Sequence, residues 1–180
     1  TGRLVRRAID LRRYENGVAA RVTALLEDAR DDILARLLRL DPTLKDGGYQ
    51  RRRLQALLGQ IEDTLKTAYR DVHTLTQREW RDLAPAYAEA VRQDLQLAVG
   101  IDISTVAVGE ARLRAIAETS IVQGFPMADW WKTQARNTAE QFERQLRIGL
   151  VQSETIDQLV IRIRGRSVGG GRYVGGVMDA

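Results

Sequence analysis

The sequence predicts an all-α protein, an elongated bundle of long amphipathic helices with a glycine-rich C-terminal tail. Three observations carry that expectation. Leu54, Leu58, Ile61, Leu65, Ala68, Val72 and Leu75 alternate steps of four and three, a heptad seam sustained for three repeats. Strand-like alternation of β-branched residues is scarce, and only three prolines interrupt 180 residues. Aromatic residues make up 6% and charged residues 29%, which suits long helices wetted on one side better than a thick-layered fold.

The first helix is expected from about Leu4 to Leu40. Gly17 lies inside it at a tolerable cost of about 1 kcal/mol relative to alanine. Asp41-Pro42 ends it, because proline disfavours helix at the preceding residue, and Asp46-Gly47-Gly48 reads as a turn. The second helix carries the seam. Past Leu75 the heptad count reaches Glu79, but Trp80 takes over, and Leu83, Tyr87, Val91, Leu95 and Ala98 continue a shifted stripe. Pro85 falls within that stripe, so a kink or restart is expected near Asp82. Gly100 closes the segment.

The run GIDIST reads as a loop with a little extended character. A short helix is expected from about Val108 to Val122, with Leu113, Ile116, Ala117 and Ile121 apolar, broken by QGFPM. The fourth helix spans about Ala128 to Leu150 and the fifth Ile156 to Arg164. Trp131, Ala135, Thr138, Phe142, Leu146 and Gly149 recur at three and four, which places them on one face. Thr155 and Gln158 have capping-box spacing, and Gly165 sits where a left-handed residue should end the helix. Gly169-Gly170-Gly171 and Gly175-Gly176 make the tail too glycine-rich for a packed element, so it reads as a linker. The expected organisation is thus a long helix over 1–40, a heptad-like helix over 41–100, three shorter helices over 101–165 and a tail over 166–180.

Composition narrows the chemistry. Without cysteine there are no disulfides and no thiolate metal sites, and the single His73 excludes a multi-histidine centre. No apolar run approaches 18 residues, and no signal-peptide core is visible, so the chain is expected to be made inside the cell and to avoid membranes. GGGRYVGG has the glycines of a phosphate loop, but no strand precedes it and no lysine-serine pair follows. His73 lacks an acid at a fixed offset to make it a general base. Asp28, Asp31 and Asp32 are too few oxygens for a magnesium or calcium site and read as a solvated face. No catalytic residue, cofactor or metal is expected, and the chain is not read as an enzyme.

The net charge of +4 is carried by arginine, since lysine appears only at positions 45, 66 and 132. Arg3, Arg6, Arg7, Arg12 and Arg13 crowd the first helix, and Arg51, Arg52 and Arg53 open the second. These clusters suit either DNA phosphates, a contact that positions without reading sequence, or an acidic protein surface; solvated helix faces are the plainer explanation. Trp130-Trp131, beside Phe125 and Met127, is the largest apolar concentration. It reads as a core anchor or as a partner-docking patch, where tryptophan is enriched.

Both ends of the chain resemble a known family. A helix ending in RIGL, then SETIDQLVIRIRG, then a glycine-rich strip ending GGVMDA, is similar to the tailed-phage head morphogenesis family of Mu F-like minor head proteins. The opening RLVRRAIDLRRYENGVAARVTALLEDARDDILARLLRL resembles that family's first helix. The resemblance covers roughly 1–40 and 126–180 and rests on helix signatures. It implies a minor structural protein made in the host cytoplasm and housed in the virion, inside the capsid near the portal. Its expected work is head assembly, genome packaging or DNA ejection, in several copies around a ring. The implied partner is the portal or another capsid-interior protein, with non-specific contact to packaged DNA. Tyr173, Val174 and Val177 of the tail are candidates for insertion into that partner, with Trp130 and Trp131. A nucleic-acid-binding role through the arginines, or an enzymatic domain following residue 180, are the alternatives.

Overall fold

Helix accounts for 85% of the described residues, as the seam and the shortage of strand patterns predict. The structure, a computed structural model, describes residues 2–39, 47–100, 109–119, 121–169 and 172–177. Five helices appear among them: α1 Gly2–Leu38, α2 Gly47–Val99, α3 Glu110–Glu118, α4 Met127–Val151 and α5 Ile156–Arg164. Two short antiparallel pairs complete the described residues, β1 Ile121–Val122 with β2 Phe125–Pro126, and β3 Arg166–Gly169 with β4 Arg172–Val174. No helix among the described residues is long and apolar enough to cross a membrane.

Several boundaries differ from the sequence expectation. Gly47 and Gly48 begin α2 rather than forming a turn, and α2 runs unbroken through Pro85 with no restart near Asp82. Proline removes one backbone donor there, a loss that a 53-residue helix absorbs. Gly100, at φ +71°, closes α2 by donating its N–H to the Gln96 carbonyl at 2.9 Å. The Asp41-Pro42 stop, and the GIDIST loop beyond Gly100, lie outside the described residues.

The third helix stops at Glu118, well before Val122. Ile121 and Val122 instead pair with Pro126 and Phe125. The connecting Gln123 and Gly124 both have positive φ, 50° and 85°, as a two-residue type I′ hairpin turn requires. QGFPM therefore makes a hairpin that leads into α4.

The chain forms two compact units, Thr1–Ala20 with Val72–Trp130, and Arg21–Asp71 with Trp131–Ala180. The segments 1–40 and 41–100 each contribute to both.

The second unit holds the main core. Ile33, Leu34 and Leu37 of α1 meet Leu57, Ile61, Leu65 and Tyr69 of α2, Ala135, Phe142 and Leu146 of α4, and Leu159 and Ile163 of α5. The α4 face read from the sequence is the buried one. On α2 the buried line is Leu57, Ile61, Leu65 and Tyr69, while Leu54 and Leu58 of the heptad seam are only half-buried. Ile61, Leu65, Ala68 and Val72 of the alternating seam are buried as its spacing requires, and Leu57 and Tyr69 join them because packing against several helices widens the apolar face. Polar bonds tie the rim: Thr64 donates to Asp32 at 3.2 Å, and the Tyr69 and Thr138 hydroxyls share a bond of 2.9 Å.

The junction between α4 and α5 is tightly built. Glu154 N–H reaches the Gly149 carbonyl at 2.9 Å and Ser153 N–H reaches Leu150 at 3.1 Å, the paired bonds of a Schellman stop. Ser153 takes the left-handed conformation there, at φ 55°. Thr155 and Gln158 then form the expected capping box, with reciprocal bonds of 3.3 and 2.8 Å. Gly165 ends α5 at φ +87° with its N–H on Ile161 at 2.8 Å.

The described residues of the tail form a packed element, which the glycine content did not predict. β3 and β4 pair across a bulge, and Val177 beyond them is buried in the core at 8% exposure. Gly176 fits against α5 so closely that a Cβ would stand 2.6 Å from the Arg164 carbonyl carbon. Here glycine serves close packing, a role that composition alone does not distinguish from flexibility.

The first unit is held by polar ties. Arg7 of α1 is paired with Asp94 of α2. The Tyr14 hydroxyl donates to the Glu79 carboxylate at 2.6 Å, and Arg81 meets Glu118 of α3 at 2.9 Å. Among its described residues only Val72 and Met127 are buried apolar side chains.

Candidate interaction surfaces

The arginines of α1 do not form one free basic cluster. Arg6 is exposed, but Arg7 is mostly covered and neutralised by Asp94. Arg12 faces Glu15 at 3.6 Å and Arg13 faces Asp10 at 3.8 Å. These two pairs are solvent-exposed and worth little, so both side chains stay available to an outside anion, whereas Arg7 does not. The side chains of Arg3, Arg51, Arg52 and Arg53 lie outside the described residues. Asp31 and Asp32 are engaged by Arg30 and Arg36, and no metal-holding acidic group occurs among the described residues.

The tryptophan pair is divided by helical geometry, since successive residues of α4 point about 100° apart. Trp131 packs on the core, with its ring 6.0 Å from that of Tyr69 at 40°. Trp130 is half-buried and donates its indole N–H to Gln123 at 3.2 Å. Trp131 is thus packed against the core of the second unit, whereas Trp130 bonds to a residue at the surface of the first. In the tail, Val177 is occupied by its own core and Val174 is 48% exposed; the side chain of Tyr173 is outside the described residues. Val177 is thereby removed from the insertion candidates.

The residues that sequence reasoning placed wrongly are those of the second α2 stripe. Trp80, Tyr87 and Leu95, expected as core, are 50%, 44% and 49% exposed. Their spacing, with Val91, keeps them on one face of α2. Val5, Ile9, Ile116, Ile121 and Phe125 of the same unit are also exposed. The periodicity was legible; that nothing in the described chain covers it was not. Along α2, Arg92 holds Glu89 by two bonds of 2.6 and 2.8 Å. Those bonds, then one from Gln93, depress the Glu89 carboxyl from 4.5 to about 2.

Many of the charged groups described here are engaged in pairs, such as Arg7 with Asp94 and Arg92 with Glu89. What this arrangement offers is an apolar stripe with charged flanks. Comparison with known proteins finds no matching family model, no matching curated protein and no matching solved structure.

Proposed function

We propose that this chain is a binding protein of a tailed-phage head, a minor structural component inside the capsid beside the portal. It would act in head assembly, genome packaging or DNA ejection. The physical support is the first unit: Trp80, Tyr87, Leu95, Val5 and Ile9 are exposed, while only Val72 and Met127 are buried there among the described residues. Trp80, Tyr87 and Leu95 share one face of α2, and an apolar face left open to solvent supports reading it as an interaction surface. The biological setting rests on the resemblance of 1–40 and 126–180 to the head morphogenesis family. The partner in this reading is the portal or another capsid-interior protein, with several copies arranged around a ring.

DNA contact is the lesser part of the proposal, because Arg7 is already neutralised by Asp94. The test is quantitative mass spectrometry of purified particles together with co-purification on the portal. A few copies per particle that follow the portal support the proposal; absence from mature and immature heads alike would overturn it. A duplex-DNA affinity that falls steeply with salt and no portal association would replace it with the nucleic-acid reading.

A further inference from the structure

The second unit contains an open cleft of about 640 Å³ between α4, α5 and the tail, lined by Gln141, Arg144, Gln145, Gln158 and Arg162 among others. Its volume is within the range of small-ligand sites. Its chemistry follows from how the internal bonds use up its atoms. Glu154, fixed by the Schellman turn, accepts from Arg162 Nε at 2.9 Å with one oxygen and from Nη2 with the other. Those bonds hold the Glu154 carboxyl below its usual range. Glu154, the one carboxylate among the described lining residues, is therefore committed to Arg162.

The glutamines are polarised in the same way. Gln145 Oε1 accepts from Arg162 Nη1 at 3.2 Å, and Gln158 Oε1 accepts from Thr155 N–H at 2.8 Å. An arginine N–H and a backbone N–H can only donate, so both amide orientations are forced by chemistry. Each glutamine then has its NH₂ left over. Arg144, on the same wall, is exposed and makes no hydrogen bond or ion pair to another described residue.

We propose that this cleft binds an oxyanion, a carboxylate or phosphate group carried by a ligand or an acidic segment. Arg144 supplies the charge, and the Gln145 and Gln158 amides supply neutral donors. Among the described lining residues the Glu154 carboxylate and the Gln145 and Gln158 side-chain oxygens are already engaged, while the charge left unopposed, on Arg144, is positive. An acceptor-rich anion is the group that satisfies such a surface, and charge-assisted bonds from arginine are the stronger kind.

The test is a titration of the whole chain with inorganic phosphate and, separately, glutarate, followed by the side-chain NH₂ resonances of Gln145 and Gln158. Saturable shifts at both are expected. Arg144→Gln should weaken them roughly tenfold, the equivalent of one charged hydrogen bond. Gln158→Glu is the decisive variant. Glutamate at this position keeps the capping box, so α5 should stay as stable, while the donor becomes an anion and binding should be lost. Preference for phosphate or for glutarate identifies which oxyanion the cleft is shaped for. Linear, unsaturable shifts, or equal binding by Gln158→Glu with its helix intact, would overturn the proposal.

Discussion

Val177 donates its backbone N–H to the Ile163 carbonyl at 2.9 Å, and both side chains are buried in the same core. Residues following a glycine-rich hairpin thus return to the last helix and close its end. Val177→Ala should destabilise the second unit by about 1–2 kcal/mol, the worth of two buried methyl-sized groups. Deleting 166–180 should cost more, since it uncovers Ile163 as well. Urea titration followed by circular dichroism measures both, and an unchanged midpoint for the deletion would show that the tail contributes nothing to the fold.

The contrast between α4 and the tail explains what the sequence could reveal. On α4 a single periodic face, Trp131 to Gly149, meets several neighbours, so spacing alone identified the buried side. The capping box at Thr155 was equally local and equally legible. Val177 was not, because its burial depends on a bulged hairpin turning the chain back onto α5, and glycines permit such a return without encoding it. The α2 stripe failed in the opposite direction. Trp80, Tyr87 and Leu95 have core spacing but no cover among the described residues, and periodicity reports a face, not its occupant. The cleft lay beyond the sequence too, since its donor character arises from bonds between residues on separate elements.

Gly149 explains the glycine at the end of RIGL. A Cβ there would stand 2.6 Å from Glu154 Oε2 and collide with the Leu159 side chain, which is buried at 4% exposure. Leu159 cannot swing away without opening the core. Gly149→Ala should therefore cost about 1–3 kcal/mol as overpacking, against the gain of up to about 1 kcal/mol that alanine brings to an open helix position. Gly59→Ala on α2, where nothing lies within 4 Å, is the control and should stabilise. Thermal melts of the pair check the sign of each.

Acid should loosen the turn between α4 and α5. Hydrogen bonds from Arg162 hold the Glu154 carboxyl below the usual carboxylate range. A depressed carboxyl contributes stability that is present above the unfolded value and disappears as pH falls through the lowered folded one. The Arg162 side-chain Nε–H signal should sharpen near neutrality and broaden well below pH 4.5. In Glu154→Gln the broadening should be present at every pH. A wild-type signal that keeps its position and width down to full protonation would show that the pair does not hold Arg162.

The exposed α2 stripe carries the last prediction. Trp80 and Tyr87 are one heptad apart and about half exposed, and apolar groups so placed gain only when something covers them. Replacing both with serine gives up only the covered half of each ring, so stability should fall by about 1–3 kcal/mol, less than the loss of two fully buried aromatics. Association with a partner should fall at least tenfold, because centrally placed tryptophan and tyrosine dominate interface energies. Leu65→Ala is the opposite control. Leu65 is fully buried, so its loss should cost about 2–5 kcal/mol and weaken association only as far as it unfolds the protein. Pull-down on the portal and denaturant titration, run on the same three proteins, separate the two effects. Destabilisation beyond that range by the double serine variant would place the stripe inside a core, and full retention of binding would move the interface elsewhere.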